Sequence, residues 1–338
     1  LPRAVAELPE TFLTHERPTQ GIAYATLLLP LANVPDRLVP LLPLFARSLT
    51  ETGTARRDFT ELGALMAAKT GGLGAETLVG LVRGSRKTFG YLGVSGKAVY
   101  DKLPDLFALT REILLEPLTD AEVLRERLGQ MLLEGKARLE HGLQSAGHAA
   151  VSARLRARFN GASAVAERTS GLSYLESVRG LLERMDTDPQ SVLNDLEELR
   201  SRIIARPGAV VDCTAEAPGL ALVETEARQL LRSLSPARAG ASTDFGSAPM
   251  ELPKGEAFIA PAQVNYVGKA ANIYDQGYVY HGSASVILRS LRMGYLWERV
   301  RVRGGAYGAF CNLDRLGGTL VCASYRDPNV DDTLAAFD

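Results

Sequence analysis

The side chains able to do chemistry in this sequence are few, and most are spaced for structure. Four histidines, His15, His141, His148 and His281, are scattered along 338 residues. His141 and His148 stand seven apart, which puts them on one face if a single helix runs through both. Two histidines make a poor metal site, because a catalytic zinc takes about three protein ligands. Surface or capping roles are the simpler reading. The motifs H-E-x-x-H, H-x-x-E-H, G-x-S-x-G and G-x-x-x-x-G-K-[ST] are all absent. Cys213, Cys311 and Cys322 lack the paired spacing of metal ligands, which excludes a disulfide scaffold and a CxxC zinc module. Cys311 and Cys322 could face each other across a hairpin. The sequence leaves that register open, and buried thiols are the default.

The most specific stretch is 295–328, YLWERVRVRGGAYGAFCNLDRLGGTLVCASYRDP. Arg301 falls at the end of a helical pattern, two glycines follow, and Tyr307 opens a strand. Such a turn can project a guanidinium and a phenol to one side. The guanidinium fork can bond peptide carbonyls or a carboxylate. The phenol can donate to a carbonyl oxygen as it gains charge. On sequence chemistry alone the plainer account is a helix C-terminal cation and a packed strand aromatic. Gly304, Gly305 and Gly308 do not fit a dinucleotide fingerprint, because the order is helix then strand.

The elements that must position these groups can be read from periodicity. Residues 21–29 (GIAYATLLL) predict a buried strand, and the apolar spacing after Pro35-Asp36 predicts a helix. A second helix carries Phe59, Leu62, Leu65 and Met66 and stops at Thr70-Gly71-Gly72. Strands follow at 73–82 and 88–95, then a helix over about 98–115. Thr119 and Glu122 form a capping box opening a long helix. Further helices are expected at 145–159, 173–185 and 189–204, the last opened by Asp188-Pro189. A strand at 208–214 and a helix at 218–234 close the first region. Residues 235–254 are rich in Pro, Ser, Ala and Gly and read as a linker. The plan then restarts, with a strand at 255–267, a helix at 283–301 and a hairpin at 306–313 and 318–325 turning near Gly317-Gly318. A last helix begins after Pro328. These orders imply an α+β fold of two layered domains, 1–234 and 255–338, each a largely antiparallel sheet packed against helices.

Composition narrows the class further. The net charge of −1 argues against a dedicated nucleic-acid binder. No apolar run reaches the ~18 residues of a membrane span. Leu1-Pro2-Arg3 opens no signal core, and the pattern at Phe337-Asp338 is interrupted, so a piece of something longer is expected.

Spread along the chain are the words GIAY (21–24), VPLLPLF (39–45), KTGG (69–72), SAGHAAVSARLRARF (145–159), QVNYVGKA (263–270), ERVRVRGGAYGAF (298–310) and SYRDPNVDDTL (324–334). Together they resemble the C-terminal half of the presequence-protease branch of the pitrilysin/insulinase zinc metallopeptidases, over essentially all 338 residues. The resemblance implies four homologous α+β domains in two halves that close around an unfolded peptide. Here it implies the third domain, the linker and an incomplete fourth. Zinc in that family sits on an inverted H-x-x-E-H motif in the first domain, so this segment is expected to hold none, its N-terminal half being the partner that does. The Arg/Tyr pair of the fourth domain carries over onto Arg301 and Tyr307. Arg301 is implied to hold the substrate backbone and Tyr307 to support the scissile carbonyl. Arg303 stands where the family often has Lys.

Two functions of different class follow. One is the substrate-enclosing half of a zinc endopeptidase, inactive alone, with no nucleic-acid or membrane partner. The other is a non-catalytic scaffold or assembly subunit of the same superfamily. An H-x-x-E-H with a distal Glu upstream of Leu1 would favour the first. A bacterial cytoplasmic location is expected, with an organelle matrix as the alternative.

Overall fold

A computed structural model describes residues 11–236, 245 and 248–338. Leu1-Pro2-Arg3 and much of the expected linker therefore lie outside the described residues. The described residues divide into two compact units, one of residues 11–79, 89–133, 180–236 and 245 and the other of residues 80–88, 134–179 and 248–338.

Strands β1 (Thr11–Glu16) and β2 (Ile22–Pro30) open the first unit. Alternation along β2 buries Ala23, Ala25, Leu27 and Leu29. A 3₁₀ turn at Asp36–Leu41 leads into α1 (Leu42–Glu51). Helix α2 (Phe59–Lys69) starts on a reciprocal cap, in which the Asp58 carboxylate accepts from Thr60 N and Glu61 N at 2.8 Å and the Glu61 carboxylate accepts from Asp58 N. Next come β3 (Leu73–Leu81), β4 (Thr88–Val99), α3 (Leu103–Leu115) and α4 (Ala121–Arg156). Helices α5 (Gly161–Ser170) and α6 (Leu172–Thr187), of which α5 and the first half of α6 fall with the far part of α4 in the second unit, and α7 (Pro189–Ile203) lead in chain order to β5 (Val210–Ala215) and α8 (Ala217–Ser233). The sheet order is β1-β5-β2-β4-β3, antiparallel from β5 through β2 to β4 and parallel between β1 and β5. Helix α8 packs on β5, β2, β1 and α3, over a core that includes Leu29, Leu42, Phe45, Leu92 and Leu106.

The second unit contains β6 (Gly268–Asn272), α9 (Ser283–Met293), a π-helical turn (Trp297–Arg303), β7 (Gly308–Leu313), β8 (Thr319–Tyr325) and α10 (Asp331–Ala336). Its sheet is antiparallel in the order β6-β8-β7. The first unit uses the same connection: β2-β4-β3 is likewise a strand beside the second arm of the next hairpin. The α+β reading holds, with mainly antiparallel sheets in both units.

Several local expectations shift. The N-cap of α4 is Asp120, whose carboxylate accepts from Glu122 N and Val123 N at 3.0 and 3.1 Å. Thr119 lies one residue too early, and the more strongly accepting carboxylate takes the cap. Strand β4 runs to Val99, and α3 begins only at Leu103, with Pro104 in its first turn. No strand forms over 255–267. Pro261 lacks an amide, and the stretch is largely exposed, bridging only where Asn265 exchanges hydrogen bonds with Asp327 at 2.8 and 2.9 Å. The helix expected over 283–301 breaks at Gly294. Strand β1 and helix α5 carry too weak a pattern to be read from sequence.

The helix expected from 145 is the far end of α4, whose path breaks at Ala146 (φ −141°, ψ 37°). Tyr266 wedges there. Its ring fills the space a β-carbon on Gly147 would need, and its hydroxyl donates to Gln144 O at 2.6 Å. The wedge thus satisfies a carbonyl released by the break.

Glu167 on α5 is wholly buried. It accepts from Ser173 N at 3.1 Å and from Arg154 Nη1 at 3.4 Å. Burial nevertheless pushes its carboxyl above the ordinary value of 4.5. A raised folded-state pKa means the contribution to stability is complete below 4.5 and is lost as pH climbs through the folded value. Glu167→Gln should therefore gain stability relative to the parent between pH 4.5 and 7, read by denaturant unfolding at several pH values. A stability difference that does not change with pH would contradict this.

Candidate functional site

The turn carrying Arg301 and Tyr307 is built from the inside outward. Val300 is buried in a cluster with Leu296, Ala306, Cys311 and Ala336, which fixes the π-helical turn against β7. Its widened hydrogen bonding closes as Gly304 N donates to Arg299 O at 3.1 Å and Ala306 N to Val300 O at 3.1 Å. A β-carbon on Gly304 would strike Val300 O, and Gly305 holds φ +80°. Both glycines are therefore required by the turn.

The segment after β8 latches this turn. Asp327 is fully buried, and its carboxylate accepts from Asn329 N at 2.9 Å and Thr333 Oγ1 at 2.8 Å. Asn329 Nδ2 in turn donates to Gly304 O. The words 298–310 and 324–334, distant in sequence, thus meet in one structure. In the sequence Asp327 and Asn329 stand out only within the word 324–334, and their one signal is the Asp-Pro-Asn run before a helix.

Arg301 lays its guanidinium 3.9 Å from the centre of the Trp297 ring, a cation–π contact worth about 0.5–1 kcal/mol at an exposed site. Tyr307 is 69% exposed. Its amide donates to Tyr325 O at 3.0 Å, and its ring meets the Tyr325 ring edge-on at 6.5 Å. Among the described residues neither the Arg301 guanidinium nor the Tyr307 hydroxyl has a hydrogen-bond or ion-pair partner. The two share one turn but rest on different aromatic neighbours. Arg303 is instead engaged, with Glu298 at 2.9 Å.

The histidines do not converge. His15 pairs with Asp212 at 3.2 Å, and His281 Nδ1 lies by Ser283. His141 is exposed, while His148, beyond the break in α4, packs among Phe310, Tyr325 and Tyr266. Burial lowers the His148 pKa. Among the described residues no three His, Cys, Asp or Glu side chains form a group that could hold a metal. The donors among the described residues therefore do not fit a catalytic zinc. Nor, among the described residues, is any helix long and apolar enough to cross a membrane.

Family comparison bears on this geometry. The model for proteins associated with subfamily C of peptidase family M16 matches residues 4–181, and that for the PreP C-terminal domain matches residues 255–338. The chain is 38% identical over 328 residues to presequence protease 1, chloroplastic/mitochondrial, of Arabidopsis thaliana, covering 96% of this chain and 30% of that protein. It is 29% identical over 334 residues to protein HypA of Clostridium perfringens, covering 97% of this chain and 33% of that one. The chain thus spans about a third of the length of these curated relatives. A solved structure of a peptidase M16 inactive domain from Pseudomonas fluorescens shares the fold, with a TM-score of 0.58 at 19% identity over 96% of this chain and 73% of that one. With one family model spanning more than half its residues and the second covering the unit that bears Arg301 and Tyr307, the chain belongs to the family associated with subfamily C of the M16 peptidases, as the C-terminal part of a presequence-protease-like member.

Proposed function

We propose that this chain is the substrate-enclosing C-terminal part of a zinc-dependent endopeptidase that degrades unfolded peptides in a closed chamber. The observation that carries the reading is the turn at 301–307. It offers an unpaired guanidinium and an unpaired phenol on a scaffold of buried contacts. A side chain kept only for packing would not leave the Tyr307 ring so exposed. Resemblance to named presequence proteases supports the reaction class.

In this reading Arg301 is a substrate-binding residue. Its stacking on Trp297 restricts the side chain before peptide arrives, so less freedom is lost when the fork bonds backbone carbonyls. Tyr307 is the catalytic contribution of this segment. Its hydroxyl donates to the scissile carbonyl oxygen as negative charge builds there. The metal and the general base belong to polypeptide outside this sequence, the N-terminal half, and closure of the halves around peptide would exclude water. The third family domain would span 1–234, a linker 235–254, and the fourth domain 255–338. A bacterial cytoplasmic setting suits the reading, and an organelle matrix is its counterpart in plants and fungi.

In the full-length protein, Tyr307→Phe should lower kcat on an unstructured peptide by about a hundredfold to a thousandfold. Arg301→Ala should act mainly by raising KM. Circular dichroism and the unfolding midpoint should stay at parental values for both. Unchanged cleavage by both variants would leave the pair as packing and favour the scaffold reading. Gly305→Ala, which forces a β-carbon onto φ +80°, should cost about 1–2 kcal/mol in denaturant unfolding. An undiminished midpoint would show that the turn tolerates another backbone path.

A further inference from the structure

The cysteine pair that sequence left without a register acquires one. Cys311 on β7 and Cys322 on β8 are directly opposed partners in the antiparallel ladder, so their side chains share one face. The Cys322 thiol donates to Cys311 Sγ at 3.3 Å. Both sulfurs are free thiols. Directly opposed residues of an antiparallel pair have Cα atoms about 4.5–5.5 Å apart, inside the span a disulfide bridges without moving the backbone. Cys311 is buried in the core cluster, whereas Cys322, packed against it, keeps partial access to solvent. The third cysteine, Cys213, belongs to the other unit and is 1% exposed.

We propose that Cys311 and Cys322 form a reversible dithiol–disulfide site that takes its oxidising equivalents from small-molecule disulfides of the glutathione class and, when oxidised, locks β7 to β8. The thiolate of the pair attacks one sulfur of the oxidant, forming a mixed disulfide and releasing one glutathione thiolate. The second cysteine gives its proton to that thiolate and attacks the mixed disulfide, expelling the second glutathione. That glutathione takes up the proton the first cysteine had given to solvent. Two cysteine thiols and one glutathione disulfide thus become one protein disulfide and two glutathione thiols. Donation from Cys322 to Cys311 Sγ holds the Cys311 thiol below its ordinary value and pushes the Cys322 thiol above its own, so Cys311 supplies the attacking thiolate and Cys322 is the second cysteine. Cys213 stays out of this chemistry, because burial pushes its thiol up to about 11.

The inference stands apart from the peptidase reading, yet the lock falls on the strand that follows Tyr307. Tyr307 is itself tied to β8 through Tyr325 O. The test equilibrates the full-length protein in glutathione buffers from reducing to oxidising, quenches with N-ethylmaleimide and maps the peptides by mass spectrometry. A Cys311–Cys322 linked peptide is expected, about 2 Da lighter than its two thiol parts and restored by dithiothreitol. It should be absent from Cys322→Ser. Hydrogen exchange across Gly308–Leu313 should slow several-fold in the oxidised form. Separate maleimide or glutathione adducts on both cysteines in the most oxidising buffer would overturn the site. Linkage to Cys213 or to another molecule would do the same, and the titration of the unaltered protein decides these outcomes without any variant. Unchanged exchange despite the link would overturn the lock.

Discussion

A carboxylate sealed from water is the constraint on which the second unit is organised. Asp327 has no exposed surface, and a charge in that position is tolerable only if its acceptor capacity is filled. The donors that fill it come from Asn329 and from Thr333 at the first turn of α10, while the Asp327 backbone exchanges hydrogen bonds with Asn265. Asn329 then carries the connection to Gly304. One buried group thereby gathers the approach to β6, the exit of β8, the last helix and the glycine turn. Arg301 and Tyr307 are held by what lies behind them, and their polar groups have no hydrogen-bond partner among the described residues.

The two units solve the same packing problem with the same connection. In each, a strand is followed by helix and then by a hairpin, and the second arm of the hairpin returns to the middle of three strands. The first unit adds β5 and β1 to the side of β2, and α8 covers the addition. Hydrophobic alternation is regular in β2 and β5, where one face meets helices. It is weaker in β6, a short strand rich in small residues. Small residues there serve close approach: a β-carbon on Gly268 would meet Val151 and Leu155 of α4.

Much of this was legible in the residues because local signals and tertiary demands agreed. Strand β2, the capped α2, the Asp188-Pro189 start of α7 and the β7–β8 hairpin each combine period with a stop or start residue. What escaped did so for physical reasons. The break in α4 falls where Tyr266, more than a hundred residues away, packs against it, and no helical period announces it. The stretch 255–267 contains β-favouring residues, yet Pro261 and the single bridge at Asn265 leave it without a ladder. The register that opposes Cys311 and Cys322 depends on the whole hairpin. At the site, types and order of Arg301, the glycines and Tyr307 could be read directly. The latch from Asp327 and the platform under Arg301 leave no mark in the sequence, since both depend on side-chain directions.

The π-helical turn at Trp297–Arg303 has a consequence for how this segment can vary over evolutionary time. A π turn accommodates about one residue more than an α turn over the same rise, so everything after it is set back in phase by roughly 100°. Single exchanges of side chain leave that phase intact. A deletion of one residue between 297 and 303 would let the helix regularise and swing Val300 out of the apolar cluster. The segment is therefore a fixed-length spacer, closed to insertions or deletions.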